Sequence, residues 1–287
     1  MSTTMALRPS YELADPSHRL YRGPNVSETT AVAAENAVIE ATSLFGSHAH
    51  VAADADALAA DAPAAMGAFR SLAPVPDDER ALYGDEERVG RLPEDAGTVL
   101  RVLGDPIGSD DPLDWRAFDI DALLVRDGER ALYHSIPHES HVREVYATDA
   151  PAYREAVRDA VSESLGVALY PAEPLLTWRV RETSYELTPT TLRYGAGDDR
   201  HGYSLDRLVA ADPTRGGHGV DCEWRSLTAT ARDPIQRALG RVHDVFASDP
   251  PETVPTDDGA TTEAVLGALS DLAGSLDYDC AVSPRRT

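Results

Sequence analysis

Ile120-Asp121-Ala122-Leu123-Leu124-Val125-Arg126-Asp127-Gly128-Glu129-Arg130-Ala131-Leu132-Tyr133-His134-Ser135 is the stretch that decides the fold class. Two apolar runs rich in β-favouring residues flank Asp127-Gly128. An Asp-Gly pair supplies the positive-φ positions of a tight turn, so a β-hairpin is expected. Upstream, Thr98-Val99-Leu100-Arg101-Val102-Leu103 is nearly continuous in apolar character, which suits a buried parallel strand. Residues 74–96 form an acidic, Pro-containing loop with one helical turn at residues 80–83. His48-Ala49-His50-Val51-Ala52-Ala53 is a short strand. Ser27 opens a helix in which Ala31, Ala34, Val38, Ala41 and Phe45 recur at three and four, with Gly46 just past its end. Leu58, Ala62, Met66, Phe69 and Ala73 form a second helical stripe, and Pro63 marks a start for that helix. Residues 1–26 are polar and Pro-containing and are expected as an extended arm. Downstream, Pro151 begins a helix with Tyr153, Val157, Val161 and Leu165 in i+4 register, followed by a strand at residues 167–170. Residues 27–170 therefore form an α/β sandwich in this expectation.

Composition shifts between Pro171 and Pro174. Short strands are expected at 175–181, 184–188, 191–194, 202–205, 208–211 and 219–225, separated by Gly-, Asp- and Pro-bearing turns. A helix from Pro234, with Ile235, Leu239, Val242 and Phe246 on one face, closes a small α+β module at 171–248. A Pro- and Asp-rich linker at 249–259 leads to an additional C-terminal amphipathic helix at 260–280, carrying Val265, Leu269, Leu272 and Leu276.

The 287 residues carry a formal net charge of −23, and every one of the 26 basic side chains is arginine. At molar salt the Debye length falls to about 3 Å, so crowded carboxylates cease to repel one another and keep the surface hydrated. Lysine, with its long apolar stem, is the cation such a surface loses. The composition thus points to a salty cytoplasm, most simply that of a halophilic archaeon. A hydrophobic content of 42% separates the chain from acidic disordered sequences. Residues 1–16 hold no apolar leader and no stretch reaches the ~20 apolar residues of a membrane span, so a cytoplasmic protein with no membrane span is expected. Cys222 and Cys280 lie far apart and lack Cys-x-x-Cys spacing, so neither a thiolate zinc site nor a disulfide framework is implied.

Two resemblances follow from particular residues. Tyr185-Glu186-Leu187-Thr188-Pro189-Thr190-Thr191-Leu192-Arg193-Tyr194, with Tyr203-Ser204-Leu205-Asp206-Arg207-Leu208, resembles the strand–turn–strand signature of bacterial-type pleckstrin-homology (PH) domains, with Leu192-Arg193 in reversed order. The resemblance implies a small barrel capped by a helix and no particular ligand. The order of elements over 27–170, and residues 123–135 in particular, is similar to the sensor domain of archaeal regulators of the TrmB type, a fold related to phospholipase D. Phospholipase D chemistry needs a His-x-Lys pair. Here His48-Ala49-His50 stands in a chain without lysine, so that activity is not carried over. The helix-turn-helix of those regulators is not found either.

Candidate sites are few. His134, His138 and His141, with Glu139 and Glu144 nearby, are the densest histidine cluster; His48 and His50 share one strand face. These five histidines are the candidate ligands of a divalent metal; a solvated loop and a packed strand edge are the ordinary alternatives. Asp54, Asp56 and Asp61 are common spacings in so acidic a chain. Gly216-Gly217-His218-Gly219 lacks the Gly-Lys-Ser/Thr ending of a phosphate loop. Against the overall charge, Arg179, Arg181, Arg193, Arg200 and Arg207 concentrate in the PH-like module. They form either an anion or partner surface, or are paired by Glu182, Glu186, Asp198 and Asp206. With no catalytic motif in view, the expected function is a non-enzymatic regulatory or scaffold protein that binds a protein or a small ligand. A metal-dependent enzyme built on the histidines, and a DNA-associated transcriptional regulator, are the alternatives.

Overall fold

Residues 13–104, 119–139, 142–146, 150–197, 199–226 and 250–283 are described by the structure, a computed structural model. They divide into two compact units, Met1–Arg22 with Val26–Ala172, and Gly23–Asn25 with Glu173–Thr287.

The first unit contains, in chain order, β1 (His18–Arg22), α1 (Glu28–Ser43), β2 (His48–Ala53), α2 (Ala55–Asp61), α3 (Pro63–Ser71), β3 (Ala73–Pro74), β4 (Glu86–Arg91), α4 (Ala96–Leu103), β5 (Ile120–Asp127), β6 (Arg130–Ser135), β7 (Arg143–Val145), α5 (Pro151–Val161) and β8 (Val167–Pro171). Its strands form one sheet in the order β3-β4-β2-β5-β6-β7-β1-β8. Every pairing in it is antiparallel. The β5–β6 hairpin turns at Gly128, whose φ of 60° suits a residue without a Cβ. One face of the sheet carries the helices. Val51, Leu123, Val125, Tyr133 and Val145 meet Val38 of α1, Phe69 of α3, Val99 of α4 and Val157 of α5 in a single buried cluster. The Ser27 hydroxyl accepts the Thr30 amide at 3.1 Å and caps α1. A Cβ on Gly46 would lie 2.9 Å from Val125 Cγ1, so the chain leaves α1 at a point where only glycine lets it pass this close to β5.

Several expectations are corrected. Residues 98–103 lie in helix α4, not in a parallel strand. Val99, Val102 and Leu103 are spaced three and four apart and are buried, a pattern that a short apolar run shares with a strand. The expected arm contains β1, an interior strand of the sheet. The expected loop at 74–96 contains β4, which pairs with β2 along its whole length. Pro63 does start a helix, but the stripe upstream of it is a separate helix, α2. Helix α5 ends at Val161 and leaves Leu165 75% exposed.

The second unit contains β9 (Leu176–Val180), β10 (Thr183–Leu187), β11 (Thr191–Ala196), β12 (Asp199–Ser204), a 3-10 turn at Leu205–Arg207, β13 (Leu208–Pro213), β14 (Gly219–Trp224), β15 (Thr253–Pro255), α6 (Gly259–Ser275) and β16 (Ala281–Val282). β9 to β12 form an antiparallel meander, and a second sheet runs β15-β14-β13-β16. Among the described residues none of the three sheets is closed into a barrel, so the chain is a mixed α/β protein whose sheets are antiparallel except for the parallel β13–β16 pair. The helix expected from Pro234 lies outside the described residues. The expected linker contains β15, which pairs with β14. The C-terminal helix is not a detached addition. The Asp258 carboxylate caps α6 by accepting the Thr261 amide at 2.7 Å. Val265, Leu266, Leu269 and Leu272 of α6 are buried against β13, β14 and β9. The interior so formed brings Leu187, Leu192, Leu208, Val220, Val265 and Leu269 together. Among the described residues, no helix is long and apolar enough to cross a membrane.

Because Leu269 is buried and Leu165 exposed, the two respond differently to truncation. Leu269→Ala is expected to cost about 2–5 kcal/mol and Leu165→Ala less than about 0.5 kcal/mol. Denaturant titration measures both, with the emission of Trp178 and Trp224 reporting on Leu269→Ala in the second unit and far-ultraviolet circular dichroism, which sees the helices of both units, on Leu165→Ala in the first.

Candidate ligand-binding cleft

The β9–β12 meander has two faces of opposite chemistry, because side chains alternate along a strand and directly opposed residues share a face. On one face Trp178, Tyr185, Tyr194 and His201 stand opposite one another across the four strands. Trp178 stacks on Tyr185 with centroids 5.2 Å apart and rings 11° from parallel, and Tyr185 on Tyr194 at 5.8 Å and 23°. The Trp178 indole N–H donates to the Pro255 carbonyl at 3.0 Å, fixing the end of the ladder. Stacked rings of this kind make the meander stiff.

The other face carries the arginines. Arg179 on β9, Arg193 on β11 and Arg200 on β12 line a cleft of about 410 Å³, to which Thr177, Ser184 and Glu186 and the intervening row of Trp178, Tyr185 and Tyr194 also contribute. Arg193 Nη1 donates to Glu186 Oε1 at 3.2 Å, and Arg200 Nη1 lies 3.9 Å from Glu186 Oε2. Arg179 Nε donates to the Arg181 carbonyl at 3.0 Å, which anchors its guanidinium beside the β9–β10 turn. Both Glu186 partners keep more than half of their side chains in solvent, 53% for Arg193 and 64% for Arg200. Ion pairs this exposed contribute about 0–1 kcal/mol and exchange readily for a ligand.

The structure therefore brings three of the five candidate arginines together. Arg181 sits in the turn with φ 55°, and Arg207 donates to the Arg225 carbonyl at 3.0 Å; neither lines the cleft. Of the acids expected to pair them, Glu186 does so twice, and Asp198 lies outside the described residues.

The histidines are not brought to one point. His50 and His134 do share the sheet face turned away from the helices, but Leu124 of β5 stands between them in register. Two strand spacings put their backbones about 10 Å apart. His50 Nδ1 is 2.7 Å from Glu87 Oε1, and Glu87 Oε2 accepts the Leu82 amide at 2.8 Å. His134 is wholly buried, with Nδ1 3.9 Å from Glu144 Oε2. Glu144 is held by Arg19 Nη2 at 2.9 Å and by the Tyr146 hydroxyl at 2.5 Å. Burial and the adjacent carboxylate together push the Tyr146 phenol well up, so it remains a donor. His48 stands opposite Arg91 and Arg126. Burial first, then the positive charge of Arg126, lowers its pKa, and the same guanidinium repels a metal cation. His138 is exposed in the turn after β6, and His141 lies outside the described residues. Among the described residues, no three His, Cys, Asp or Glu side chains stand close enough to hold a metal ion.

A buried carboxylate that sequence reasoning missed is Glu35 of α1. It accepts from the Ser135 hydroxyl at 2.5 Å, the Tyr133 hydroxyl at 3.1 Å and Arg143 Nε at 2.9 Å. The available signal was its position beside Ala34, on the apolar stripe of α1. The network is sealed between helix and sheet and ties the two layers together.

Comparisons with protein-family models, with curated proteins and with solved structures each return no match for this chain.

Neither thiol is activated as a nucleophile. Cys222 and Cys280 are both free. Burial, reinforced by the neighbouring Cys280 thiol and Asp221, pushes Cys222 up to about 12. Burial and Asp279 push Cys280 up to about 11 against the opposing charge of Arg225. A raised pKa keeps the thiol protonated through neutral pH, and only the thiolate attacks. Iodoacetamide at pH 8 is therefore expected to label Cys280 slowly and Cys222 more slowly still, with rates rising as pH approaches each value. Both should label at the rate of an ordinary thiol after unfolding. Site-resolved mass spectrometry reads the order.

Proposed function

We propose that this chain is a non-enzymatic regulatory or scaffold protein of a salt-adapted cytoplasm. Its second unit acts as a PH-like module that recognises an anionic group through the outer face of β9–β12. The carrying observation is the gathering of Arg179, Arg193 and Arg200 around Glu186, in a cleft, on a chain of net charge −23. A PH-like assignment is supported by the order of elements: a four-stranded meander, then β13, β14 and β15 paired in sequence, then an amphipathic helix packed on them. The likeness of residues 123–135 to TrmB-type sensor domains supports a sensor-like role for the first unit.

Salt adaptation explains the choice of cation. With long-range attraction screened within about 3 Å at molar salt, an anion is held by hydrogen bonds at contact. The guanidinium fork makes two of these to one carboxylate or phosphate, which an ammonium cannot.

Thermal unfolding in molar KCl, with and without millimolar citrate or pyrophosphate, tests the proposal. The full chain is expected to gain several degrees with at least one of these anions, because binding to the folded state alone raises stability. The Arg179→Ser/Arg200→Ser variant should unfold at the same temperature as the parent without ligand and gain nothing specific with it. Equal shifts in the two chains would mean that the anions act on the solvent, and the arginine face would lose its role.

A further inference from the structure

Arg179, Ser184, Gly195 and Arg200 stand directly opposite one another on β9, β10, β11 and β12. The next row on the same face is Thr177, Glu186, Arg193 and Gly202. In the first row the long side chains are at the two ends and the small ones in the middle. In the second, the long ones are in the middle and the small ones at the ends. The result is a pit at Ser184, walled by Arg179 and Arg200 and closed by the Glu186–Arg193 pair. Resting on the function proposed above, we infer that this pit is a site for one small hydroxylated phosphomonoester of about sugar-phosphate size.

Three features select that chemistry. The first is volume. About 410 Å³ falls within the roughly 300–1,000 Å³ of small-molecule sites. A nucleic-acid strand or acidic polypeptide is served better by a long open stripe of cations than by a cleft of this volume. The second is the distribution of donors. Each guanidinium carries five N–H donors, and the contacts within the cleft use few of them: Arg179 gives one to the Arg181 carbonyl and Arg193 one to Glu186. Two or three guanidiniums at one pit match the several acceptor oxygens of a phosphate. The third is Glu186. A carboxylate at the centre of a purely anion-binding site would repel its ligand. Here it spaces Arg193 and Arg200 and offers oxygens to a donor. A ligand with hydroxyl groups beside its phosphate uses both; inorganic phosphate uses only the arginines.

Ser184 lines the pit with an exposed side chain and provides a test that leaves charge unaltered. Isothermal titration in molar KCl would compare ribose 5-phosphate, ribose, inorganic phosphate and a single-stranded oligonucleotide. Ribose 5-phosphate is expected to bind once per chain and at least tenfold more tightly than inorganic phosphate, and ribose should not bind. Ser184→Leu, with an unaltered unfolding temperature, should weaken ribose 5-phosphate at least tenfold by filling the pit. Glu186→Gln should shrink the preference for ribose 5-phosphate over inorganic phosphate to less than threefold. Undiminished binding by Ser184→Leu, or no binding of ribose 5-phosphate to the parent chain, would overturn the inference. So would an oligonucleotide that binds where ribose 5-phosphate does not, although the arginine face would then stand as a recognition surface. That face fails separately, when citrate and pyrophosphate stabilise the Arg179→Ser/Arg200→Ser variant as much as the parent.

Discussion

In an antiparallel ladder a side chain shares its face with the residue directly opposite and with the residues two positions away. This period of two controls every cluster described above. On the large sheet it sends Val51, Leu123, Val125 and Tyr133 toward the helices, and His50, Leu124, His134 and Glu144 to the other side. On the β9–β12 meander it sends the stacked rings one way and the arginines the other. A slip of one residue in any pairing would exchange the two faces. It would place Arg179 and Arg193 against the aromatic ladder and break the cleft.

Buried polar contacts make such slips costly. Glu144 of β7 depends on Arg19 of β1, directly opposite, and on Tyr146 two residues on. Glu87 of β4 depends on His50 of β2. On the helix side Glu35 gathers Tyr133, Ser135 and Arg143 from β6 and β7. Removing one partner of a buried pair strands the other at a cost of about 3–5 kcal/mol. A misregistered sheet would strand several at once. The polar row thus acts on the uniqueness of the pairing, while the apolar face supplies the burial.

Elements whose signal is local were legible in the sequence. Asp127-Gly128 announced its hairpin. The six strands between 175 and 225 were punctuated by their own turns, and each has a counterpart within a few residues. Elements defined by distant partners were not legible. Glu86-Glu87-Arg88-Val89-Gly90-Arg91 has no apolar alternation, because one of its inward positions is Glu87, satisfied only by His50 and the Leu82 amide. His18-Arg19-Leu20-Tyr21-Arg22 reads as polar for a related reason: Arg19 is half-buried and answered by the buried Glu144. The Val-Leu-Arg-Val-Leu run of α4 fits both periods, and only the neighbours it packs on distinguish them. The C-terminal helix looked detachable because its apolar stripe is matched by strands dozens of residues upstream. The candidate site followed the same division. An excess of arginine is a property of composition and was visible. The selection of three from five, and the place of Glu186 among them, depends on register across four strands.

The acidic composition gives that selection its meaning. On the salt-adapted reading proposed above, a surface carboxylate in this chain needs no individual explanation. A cluster of guanidiniums does need one. Three of them on one face are not neutralised one for one: Glu186 serves two, and the anchor of Arg179 is a carbonyl without charge. Between Arg179 and Arg200 the cleft is lined by the small Ser184 side chain. Solubility alone gives no reason for guanidiniums to gather around such a cleft. On the function proposed above, an anion seated between them accounts for the cluster and the cleft with one cause.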